Sequence, residues 1–588
     1  MTKLSIISLM LLALAGCTQQ KSATSYPTYE EATLPVTVQS DWDALTPGLH
    51  LSMGSIDQRY EKQEIPNIEK ELQWQGSAWK GERISAQLVA WSKDSIKQLR
   101  GEVSDFKSAD GSIISAENAR LHFVRYVITD EFGNGCGQRK PEDFASSLSG
   151  DVLDPIPAMN LSPQTCRPMW ISIDIPSDAM PGIYHATLQL FANGRKADAV
   201  SLQLEVLPQR LPPATEWKFH LDLWQNPYAV ARVAGVEPWS PEHWDALRPV
   251  MQMLADAGQK VITATLNKRP WNGQTEDAFD TMIRWTRKAD GSWSYDYPVF
   301  DNWVRFMIDL GIRSQINCYS MVPWGNILFY QDEASGTEVK VSAKPGTEAY
   351  ADLWKPFLND FVRHLDAKGW RSITRIAMDE RGPEEMQAML KLLKETAPGM
   401  GVALADNHKS YQLYPDRLTD LCVSQGAIVD APDRIYRAER GYITTWYVCC
   451  SHPFPNVFTF SEPAEATFIG WYTMAAGFDG FLRWAYNSWV KEPLIDSRFR
   501  TWPAGDTYIV YPDGRSSIRF ERLREGIQDA EKIAILREKL QNEKSADAAE
   551  QLTRLNRKVA QFNLIQNPGN AAEMLRSGKE LLYELSKK

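Results

Sequence analysis

Two patterns of hydrophobic and polar residues divide the chain, and the change between them falls near residue 210. Before that point, short segments alternate apolar and polar residues, turn residues separate them, and helical periodicity is scarce. Such alternation is typical of strands with one buried face. We therefore predict a β-sandwich over residues 41–210. The clearest predicted strands are Ile84–Ala90, His122–Ile128, Met169–Ile175, Tyr184–Leu190 and Ala199–Leu207.

After the proline-rich segment Leu207–Pro213, short apolar runs alternate with longer amphipathic stretches such as Pro241–Ala257 and Pro383–Thr396. Eight such units predict a (β/α)8 TIM-like barrel over residues 214–541. The connections on either side of the sixth strand are short and weakly helical, so we expect one degraded barrel helix. The predicted strands are Lys218–Trp224, Val261–Leu266, Ser314–Ser320, Ile373–Asp379, Gly401–Asp406, Asp420–Gln425, Tyr442–Cys450 and Gly480–Asn487.

The two ends of the chain differ from this pattern. Residues 542–588 are charged and helical, which predicts a C-terminal helical extension on the outside of the barrel. At the other end, Lys3 precedes the apolar run Leu4–Ala15, which is too short for a permanent membrane helix. The sequence Leu-Ala-Gly-Cys that ends at Cys17 resembles the lipobox of bacterial lipoproteins. The alternative is an ordinary secretory signal followed by a chance cysteine.

The N-terminal pattern predicts how the protein is held in the cell. Residues 1–17 read as a signal peptide and lipobox, with Cys17 as the lipidated residue, and residues 18–40 as a flexible tether. Acyl chains on one residue anchor a soluble domain stably. We expect an exported protein that is attached to a bacterial membrane by lipid alone, at the periplasmic face or the cell surface.

Composition restricts the partners. The chain has 588 residues, of which 43% are hydrophobic and 23% charged, as in a large globular protein. A net charge of −10 argues against nucleic acid and anionic lipid as partners. The chain also contains 21 Trp and 21 Tyr. Aromatic rings serve as flat platforms for sugars, although large cores use them as well.

Cysteine and histidine positions predict neither a metal nor a cofactor, because no pair has the spacing of a zinc site. Cys136 and Cys166 lie in loop-like sequence, and a disulfide between them would suit an exported protein. The others besides Cys17 lie in predicted strands, where we expect small buried side chains. They are Cys318, Cys422, Cys449 and Cys450.

The candidate chemistry is concentrated at the end of the fourth barrel strand, where Asp379 and Glu380 are adjacent. Catalytic groups in such barrels lie at the carboxyl ends of the strands. Neighbouring strand residues point to opposite faces, but the chain is leaving the strand here, so both carboxylates could turn toward the barrel mouth. The alternative is a solvated acidic turn that caps the helix beginning at Pro383.

Polar and aromatic residues follow the other strands as well. Amides, rings and carboxylates that converge from several strand ends favour a sugar site, and long loops add Trp324, Trp489 and Trp502. The predicted substrate-binding residues are Trp224, Asn226, Asn317, Tyr319, Asp406, Tyr447, Trp484, Tyr486 and Asn487.

Two adjacent carboxylates suggest a particular glycosidase mechanism. Ordinary retaining enzymes place two carboxylates on opposite sides of the sugar, roughly 5–5.5 Å apart. The seventh strand carries no acid, and the nearest one downstream is Glu462. Adjacent carboxylates can divide the work if a 2-acetamido group of the substrate is the nucleophile. Asp379 would then hold the acetamido N–H, and Glu380 would act as general acid and base.

At these residues the chain resembles glycoside hydrolase family 123, the β-N-acetylgalactosaminidases that act by neighbouring-group participation. The resemblance rests on Asp379-Glu380 and on the segments Phe481–Trp489, Trp502–Asp506, Tyr508–Pro512 and Ile518–Asp529. It implies a sandwich and a (β/α)8 barrel, retention of configuration, and a glycan partner with terminal β-linked N-acetylgalactosamine, as on glycosphingolipids.

The same resemblance assigns Asp379 as the stabilising acid and Glu380 as the general acid/base. It also implies a tyrosine that orients the acetamide carbonyl, for which Tyr447 and Tyr486 are both candidates. The preference for N-acetylgalactosamine over N-acetylglucosamine comes from the resemblance alone. Two other interpretations stay open. One is a retaining glycosidase of another substrate class with Glu462 as covalent nucleophile, and the other is a non-catalytic glycan-binding lipoprotein.

Overall fold

The computed structural model describes residues 27–35, 40–130, 136–137, 140–566 and 568–587. Cys17 and the predicted signal peptide lie outside the described residues. The prediction of a flexible tether over residues 18–40 is wrong for residues 27–35, because the buried side chain of Glu31 pairs with Arg167 at 2.6 Å and the Pro27 carbonyl accepts from Arg515 at 2.7 Å. Among the described helices, none combines the length and the apolar character that crossing a bilayer requires. Short 3-10 turns occur at Trp42–Ala44, Ala116–Asn118, Pro141–Asp143, Ala214–Glu216, Arg371–Ile373 and Pro512–Gly514.

The N-terminal part is a β-sandwich, as predicted. Its strands are β1 (His50–Gly54), β2 (Gln73–Lys80), β3 (Arg83–Ser92), β4 (Ile96–Val103), β5 (Phe106–Ser108), β6 (Ile113–Ile114), β7 (Ala119–Asp130), β8 (Ser146–Asp154), β9 (Met159–Leu161), β10 (Thr165–Asp174), β11 (Gly182–Ala192) and β12 (Arg195–Arg210). One sheet has the order β1-β3-β10-β7-β8, and the facing sheet contains β2-β12-β11-β4-β9. Alternate residues such as Leu88, Ile171 and Leu202 fill the core between them.

The remaining strands include an eight-stranded parallel sheet that is nearly closed into a barrel, which confirms the predicted fold class. They are β13 (His220–Leu223), β14 (Val261–Thr265), β15 (Arg284–Arg287), β16 (Trp293–Asp296), β17 (Gln315–Tyr319), β18 (Ile327–Asp332), β19 (Thr337–Ser342), β20 (Thr374–Asp379), β21 (Gly401–Asp406), β22 (Leu418–Ser424), β23 (Ile443–Tyr447), β24 (Gly480–Arg483) and β25 (Ser516–Ser517). The barrel order is β13-β24-β23-β22-β21-β20-β17-β14.

Helices surround the barrel and extend beyond it. They are α1 (Pro227–Ala234), α2 (Pro241–Ala255), α3 (Pro298–Asp309), α4 (Glu348–Lys368), α5 (Pro383–Thr396), α6 (Ser410–Leu413), α7 (Ala431–Glu439), α8 (Pro463–Ala476), α9 (Ile518–Asn542), α10 (Ala546–Val559) and α11 (Ala571–Ser586). The single turn α6 is the degraded barrel helix. Helices α8 and α9 cross so closely that a Cβ at Gly470 would lie 2.0 Å from the carbonyl oxygen of Gly526.

Side-chain amides close the barrel where its first two strands meet. Strands β13 and β14 share a single backbone bridge, between Leu221 and Gln259. Beyond it, the Gln259 amide accepts from the Leu223 N–H at 3.0 Å and donates to the Val261 carbonyl at 2.7 Å. These bonds replace a backbone ladder, so the buried peptide groups keep partners despite the gap.

A small extra sheet lies in the connections after the second and third barrel strands. Its order is β16-β15-β18-β19, which the sequence pattern does not predict. The connection that contributes β18 and β19 also carries Trp324, just before β18 begins. This loop is therefore structured, and it brings an aromatic ring to the mouth of the barrel.

Buried ion pairs join the sandwich to the barrel. Arg515 contacts Asp154 at 3.0 Å and Arg519 contacts Asp151 at 2.8 Å, with all four side chains at most 1% exposed. Strand β25, between these arginines, pairs with β8 of the sandwich. Removing one partner of such a pair would leave a buried charge without compensation, which is costly. The ion pairs therefore fix the sandwich and the barrel to each other.

The cysteines differ from the prediction. Cys136 forms a disulfide with Cys450, 314 residues away, and Cys166 is a buried free thiol. The prediction of a Cys136–Cys166 pair is therefore wrong. Strand β23 ends at Tyr447, so Cys449 and Cys450 lie in the loop after it and not in a strand. Pairing with the neighbouring strands decides where a strand ends, and the predicted strand extended three residues beyond the end of β23.

Candidate active site

The backbone conformation at the end of β20 sends two adjacent carboxylates to one place. Asp379 is the last strand residue, and its neighbour Glu380 has a φ of 47°, in the left-handed region. A non-glycine residue there costs on the order of 1–2 kcal/mol. The Glu380 N–H still donates to the Ala405 carbonyl at 2.7 Å, which holds the turn against β21. The alternation of a strand is thus broken, and both carboxylates face the same cavity.

Asp379 is nearly buried, with 9% of its surface exposed. Its Oδ2 accepts from the Trp324 indole at 3.0 Å, whereas Oδ1 has no hydrogen-bond partner in the described part of the chain. Burial raises the pKa of Asp379 to about 6; Arg381 and the indoles of Trp324 and Trp271 oppose the rise, and the Glu380 carboxylate adds to it. An unpartnered, buried carboxylate oxygen beside a cavity is a ready acceptor for a ligand N–H.

Trp324 is itself held in place. The Arg381 guanidinium lies 4.1 Å from the centroid of the Trp324 ring, and its Nε donates to the Asp379 carbonyl at 2.6 Å. A cation over an indole face is attracted by the ring quadrupole. Arg381 therefore positions the donor that orients Asp379.

Glu380 has a different environment. Its Oε1 accepts from the Tyr447 hydroxyl at 2.6 Å, across the barrel mouth from the end of β23. Burial, followed by the Glu380 charge, raises the pKa of Tyr447 far above its usual value, so the phenol keeps its proton and donates it. One oxygen of Glu380 is therefore occupied.

A cavity of about 380 Å³ lies over these groups. This volume falls in the range of small-ligand sites. Of the predicted site residues, it brings together Asp379, Glu380, Trp224, Tyr447 and Trp484. Two of the loop tryptophans, Trp324 and Trp502, also line it, and Trp502 meets Trp484 edge-on with 5.7 Å between ring centroids.

Six predicted binding residues have other contacts. The Asn487 side chain accepts from the Asn226 N–H and donates to the Asn226 carbonyl, both at 2.9 Å, which joins the segments that follow the first and last barrel strands. The Tyr486 hydroxyl donates to the Val250 carbonyl at 2.9 Å and is fully buried. Asp406 accepts from the loop residues His408 and Ser410, Asn317 bonds to Gln315 inside the barrel, and Tyr319 packs under Trp224.

The alternative nucleophile Glu462 is not at the cavity. It is the N-cap of α8, where it forms a capping box with Glu465 and is exposed. Among the described residues that line the cavity, Asp379 and Glu380 are the only acids. Nothing in this geometry lets Glu462 face Glu380 across a sugar.

Several further residues that line the cavity were not predicted as site residues, among them Ser424, His452, and the disulfide partners Cys136 and Cys450. Ser424 is the last residue of β22, so its strand-end position was the available signal. His452 and Cys450 follow β23 in a loop, and Cys136 comes from the sandwich. No local pattern points to them.

In the described part of the chain, one group of side chains at the cavity wall has the spacing of possible metal ligands, and it consists of three sulfur atoms. The Sγ atoms of Cys136, Cys449 and Cys450 lie within 4.8 Å of one another. Two of them are joined in the disulfide, which leaves Cys449 as a single thiol. One thiol does not make a metal site of the usual donor number.

Comparison with known families identifies the class of enzyme. A family model described as Glycoside hydrolase 123, catalytic domain, matches residues 224–536, and the Glycoside hydrolase 123 N-terminal domain matches residues 53–192. The chain belongs to glycoside hydrolase family 123. This family 123 protein is therefore a glycoside hydrolase, and the catalytic match spans the strand ends described above.

A solved structure supports the same assignment. The family 123 glycoside hydrolase from Clostridium perfringens, analysed for glycolipid glycan hydrolysis, is 26% identical, with a TM-score of 0.82, over 92% of this chain and 97% of that chain.

Other solved structures are far less similar. The Bacteroides ovatus GH5 xyloglucanase is 10% identical, with a TM-score of 0.28, over 81% of this chain and 100% of that chain. A Bacteroides uniformis β-glucuronidase is 9% identical, with a TM-score of 0.27, over 83% of this chain and 49% of that chain. Similarity this low supports no inference about this family 123 protein. No curated protein matches the chain.

Proposed function

We propose that this family 123 protein releases terminal β-linked N-acetylgalactosamine from glycans of glycolipids, with retention of configuration and with the 2-acetamido group of the substrate as nucleophile. The glycolipid class is suggested by the work on the C. perfringens relative. The sugar and the stereochemistry follow from the family resemblance of the Asp379-Glu380 segment.

The observation that carries the proposal is the placement of the two carboxylates. Asp379 and Glu380 face one cavity from one turn of the chain, and no third acid lines it among the described residues. A conventional retaining pair requires two carboxylates on opposite sides of the sugar ring. Two adjacent ones are better suited to act on the substrate's own nucleophile and on its leaving group.

In the first step, the acetamido carbonyl oxygen attacks the anomeric carbon, and the bond to the glycosidic oxygen breaks. Asp379 accepts the acetamido N–H at its unpartnered Oδ1, which stabilises the positive charge of the oxazolinium ion that forms. Glu380 donates its proton to the departing oxygen. Trp324 keeps the other oxygen of Asp379 occupied, so the carboxylate does not rotate away.

In the second step, Glu380 takes a proton from water while that water attacks the anomeric carbon and the oxazolinium ring opens. Both displacements occur with inversion, so configuration is retained overall. The edge-on pair Trp484 and Trp502 and the ring of Trp224 supply apolar faces for the sugar. The Tyr447 hydroxyl donates to Glu380 and the Tyr486 hydroxyl donates to the Val250 carbonyl, so we assign neither tyrosine to the acetamide carbonyl.

The deciding experiment compares aryl β-glycosides. We expect hydrolysis of the β-N-acetylgalactosaminide, essentially none of the β-galactoside, and competitive inhibition by a GalNAc-derived thiazoline. The β-N-acetylglucosaminide measures the choice of hexosamine. Glu462→Gln, at the exposed cap of α8, should retain activity. Covalent trapping of a 2-fluoro sugar on Glu462 would overturn the neighbouring-group mechanism.

We also propose that the protein is exported and anchored by lipid at Cys17. The support is the sequence pattern of residues 1–17 alone. An anchor at that position would hold the catalytic barrel near glycans at a membrane surface.

A further inference from the structure

A line of hydrogen bonds leads from the loop after β23 to the candidate general acid. The Cys449 N–H donates to Nδ1 of His452 at 3.0 Å. Nε2 of His452 lies 3.2 Å from the Ser424 hydroxyl. Ser424 is the register partner of Tyr447 in the neighbouring strand, and its hydroxyl lowers the pKa of Tyr447, as a donor facing the phenol oxygen would. Tyr447 then donates to Oε1 of Glu380.

The backbone N–H of Cys449 fixes the direction in which these groups donate. A backbone N–H can only donate, so Nδ1 of His452 must accept, and the neutral ring carries its proton on Nε2. Nε2–H therefore donates to Ser424, which leaves the Ser424 hydroxyl proton for the phenol oxygen beside it, and the phenol donates to the carboxylate. Every bond points toward Glu380.

The loop that presents His452 is held firmly. The Asn456 amide donates to the carbonyls of Cys449 and His452 at 3.0 and 2.7 Å, and it accepts from Arg483 at 2.8 Å. Arg483 is fully buried and is paired with Asp506. The disulfide to Cys136 fixes the same loop from the sandwich side. His452 is thus a rigid starting point and not a mobile surface histidine.

We propose that His452 and Ser424 are positioning residues, which fix the direction of the Tyr447 hydrogen bond and so make Oε2 of Glu380 the oxygen that exchanges its proton with substrate. The proposal rests on the acid/base role of Glu380 under Proposed function. With Oε1 occupied by the phenol, the proton of the acid form resides on Oε2 and passes to the glycosidic oxygen. After departure of the aglycone, the same oxygen accepts the proton of water.

The test is a double-mutant cycle on aryl β-N-acetylgalactosaminides with poor leaving groups. Ser424→Ala and His452→Ala should each lower kcat about 10-fold and leave KM nearly unchanged, because misplaced catalytic groups cost rate more than ground-state binding. Ser424→Thr keeps the hydroxyl, and His452→Gln offers an amide N–H in place of Nε2–H, so both should recover most of the loss. In a Tyr447→Phe background, Ser424→Ala should lower kcat by less than about twofold, because the phenol that links Ser424 to Glu380 is already absent.

Matched controls are Ser201→Ala and His185→Gln, on exposed positions of the sandwich, which should match wild type. The positioning role is overturned if Ser424→Ala costs as much in the Tyr447→Phe background as in wild type, or if KM rises while kcat stays constant. Should His452→Ala not fold, the Ser424 series decides. Glu380→Gln tests the acid/base role separately from the positioning role. Full activity of Glu380→Gln on poor leaving groups would overturn the acid/base role itself. A large loss in Glu380→Gln, together with wild-type activity of Ser424→Ala, would remove only the positioning role.

Discussion

The Trp324 indole donates to Oδ2 of Asp379 at 3.0 Å, while Oδ1 of the same carboxylate is buried without a partner among the described residues. Trp324 lies in the loop after β17, and Asp379 is the last residue of β20. One oxygen is thus committed to the protein and the other is left for a ligand. In the proposed mechanism Asp379 must be ionised to hold an acetamido N–H, so this contact also affects the pH range in which the enzyme is active.

The first prediction concerns pH. Asp379 has a pKa raised to about 6, so its carboxylate form is lost as pH falls through that value. We expect kcat/KM of the free enzyme to decline below about pH 6. The indole bond lowers this pKa, so Trp324→Phe should move the acid limb to higher pH. A pH–rate profile in which Trp324→Phe shifts the limb downward would contradict the assignment.

The second prediction is that Asp379→Asn stabilises the fold while it slows catalysis. The folded pKa of about 6 exceeds the ordinary value of 3.8, so the folded state holds this proton more tightly. Its stability therefore falls as pH rises from about 4 to 6, and the full penalty, up to about 3 kcal/mol, persists above pH 6. Asn carries no charge and keeps an acceptor for Trp324.

Thermal unfolding of wild type and Asp379→Asn checks this point at pH 8 and at pH 4. The variant should unfold at a higher temperature at pH 8, and the difference should disappear at pH 4. An equal difference at both pH values would mean that the effect does not come from the charge of Asp379.

The third prediction separates the two carboxylates by leaving group. Glu380→Gln should slow substrates with basic leaving groups by orders of magnitude, and it should affect the first step with 2,4-dinitrophenolate much less, because that group needs little protonation. Asp379→Asn acts on the nucleophile and should slow both kinds similarly, by roughly 3–4 kcal/mol in activation free energy. Rates across a series of aryl substrates give the dependence of rate on leaving-group basicity for each variant. A steep dependence for Asp379→Asn and a flat one for Glu380→Gln would show that the two roles are reversed.

The fourth prediction concerns the disulfide between Cys136 and Cys450, which closes a loop of 314 residues and lines the cavity. The double change Cys136→Ser and Cys450→Ser should lower the free energy of unfolding by about 2–4 kcal/mol. It should also raise KM, because the cavity wall is no longer clamped. A reducing agent should lower the thermal midpoint of wild type and leave that of the double variant unchanged; equal responses would exclude this disulfide as the cause.

The fifth prediction concerns the proposed anchor. Cys17→Ser removes the thiol that would carry the acyl chains, and the barrel should fold and hydrolyse substrate as before. Cell fractionation should move activity from the membrane to the soluble fraction. Sedimentation of the variant with membranes in high salt, together with a wild-type protein free of lipid, would show that Cys17 is not the anchor.

The sequence by itself determined the architecture and the two carboxylates that line the cavity. The alternation in segments such as Ile84–Ala90 and the eight strand–helix units are local patterns, so they predict the elements without knowledge of long-range contacts. Asp379 and Glu380 were found for the same reason, since a strand of a parallel barrel must end at the mouth. Tyr447 and Trp484 were found by that rule as well.

Only the tertiary structure decided which strand-end residues reach the cavity and what supports them. Beyond a strand end, the direction of a side chain depends on single backbone turns, such as the left-handed conformation of Glu380, and on partners distant in sequence. Asn226 was drawn to Asn487, and Cys136 to Cys450. His452 contacts Ser424 because the loop after β23 folds back on the end of β22. Local periodicity carries no information about such contacts, because they form only when remote segments pack together.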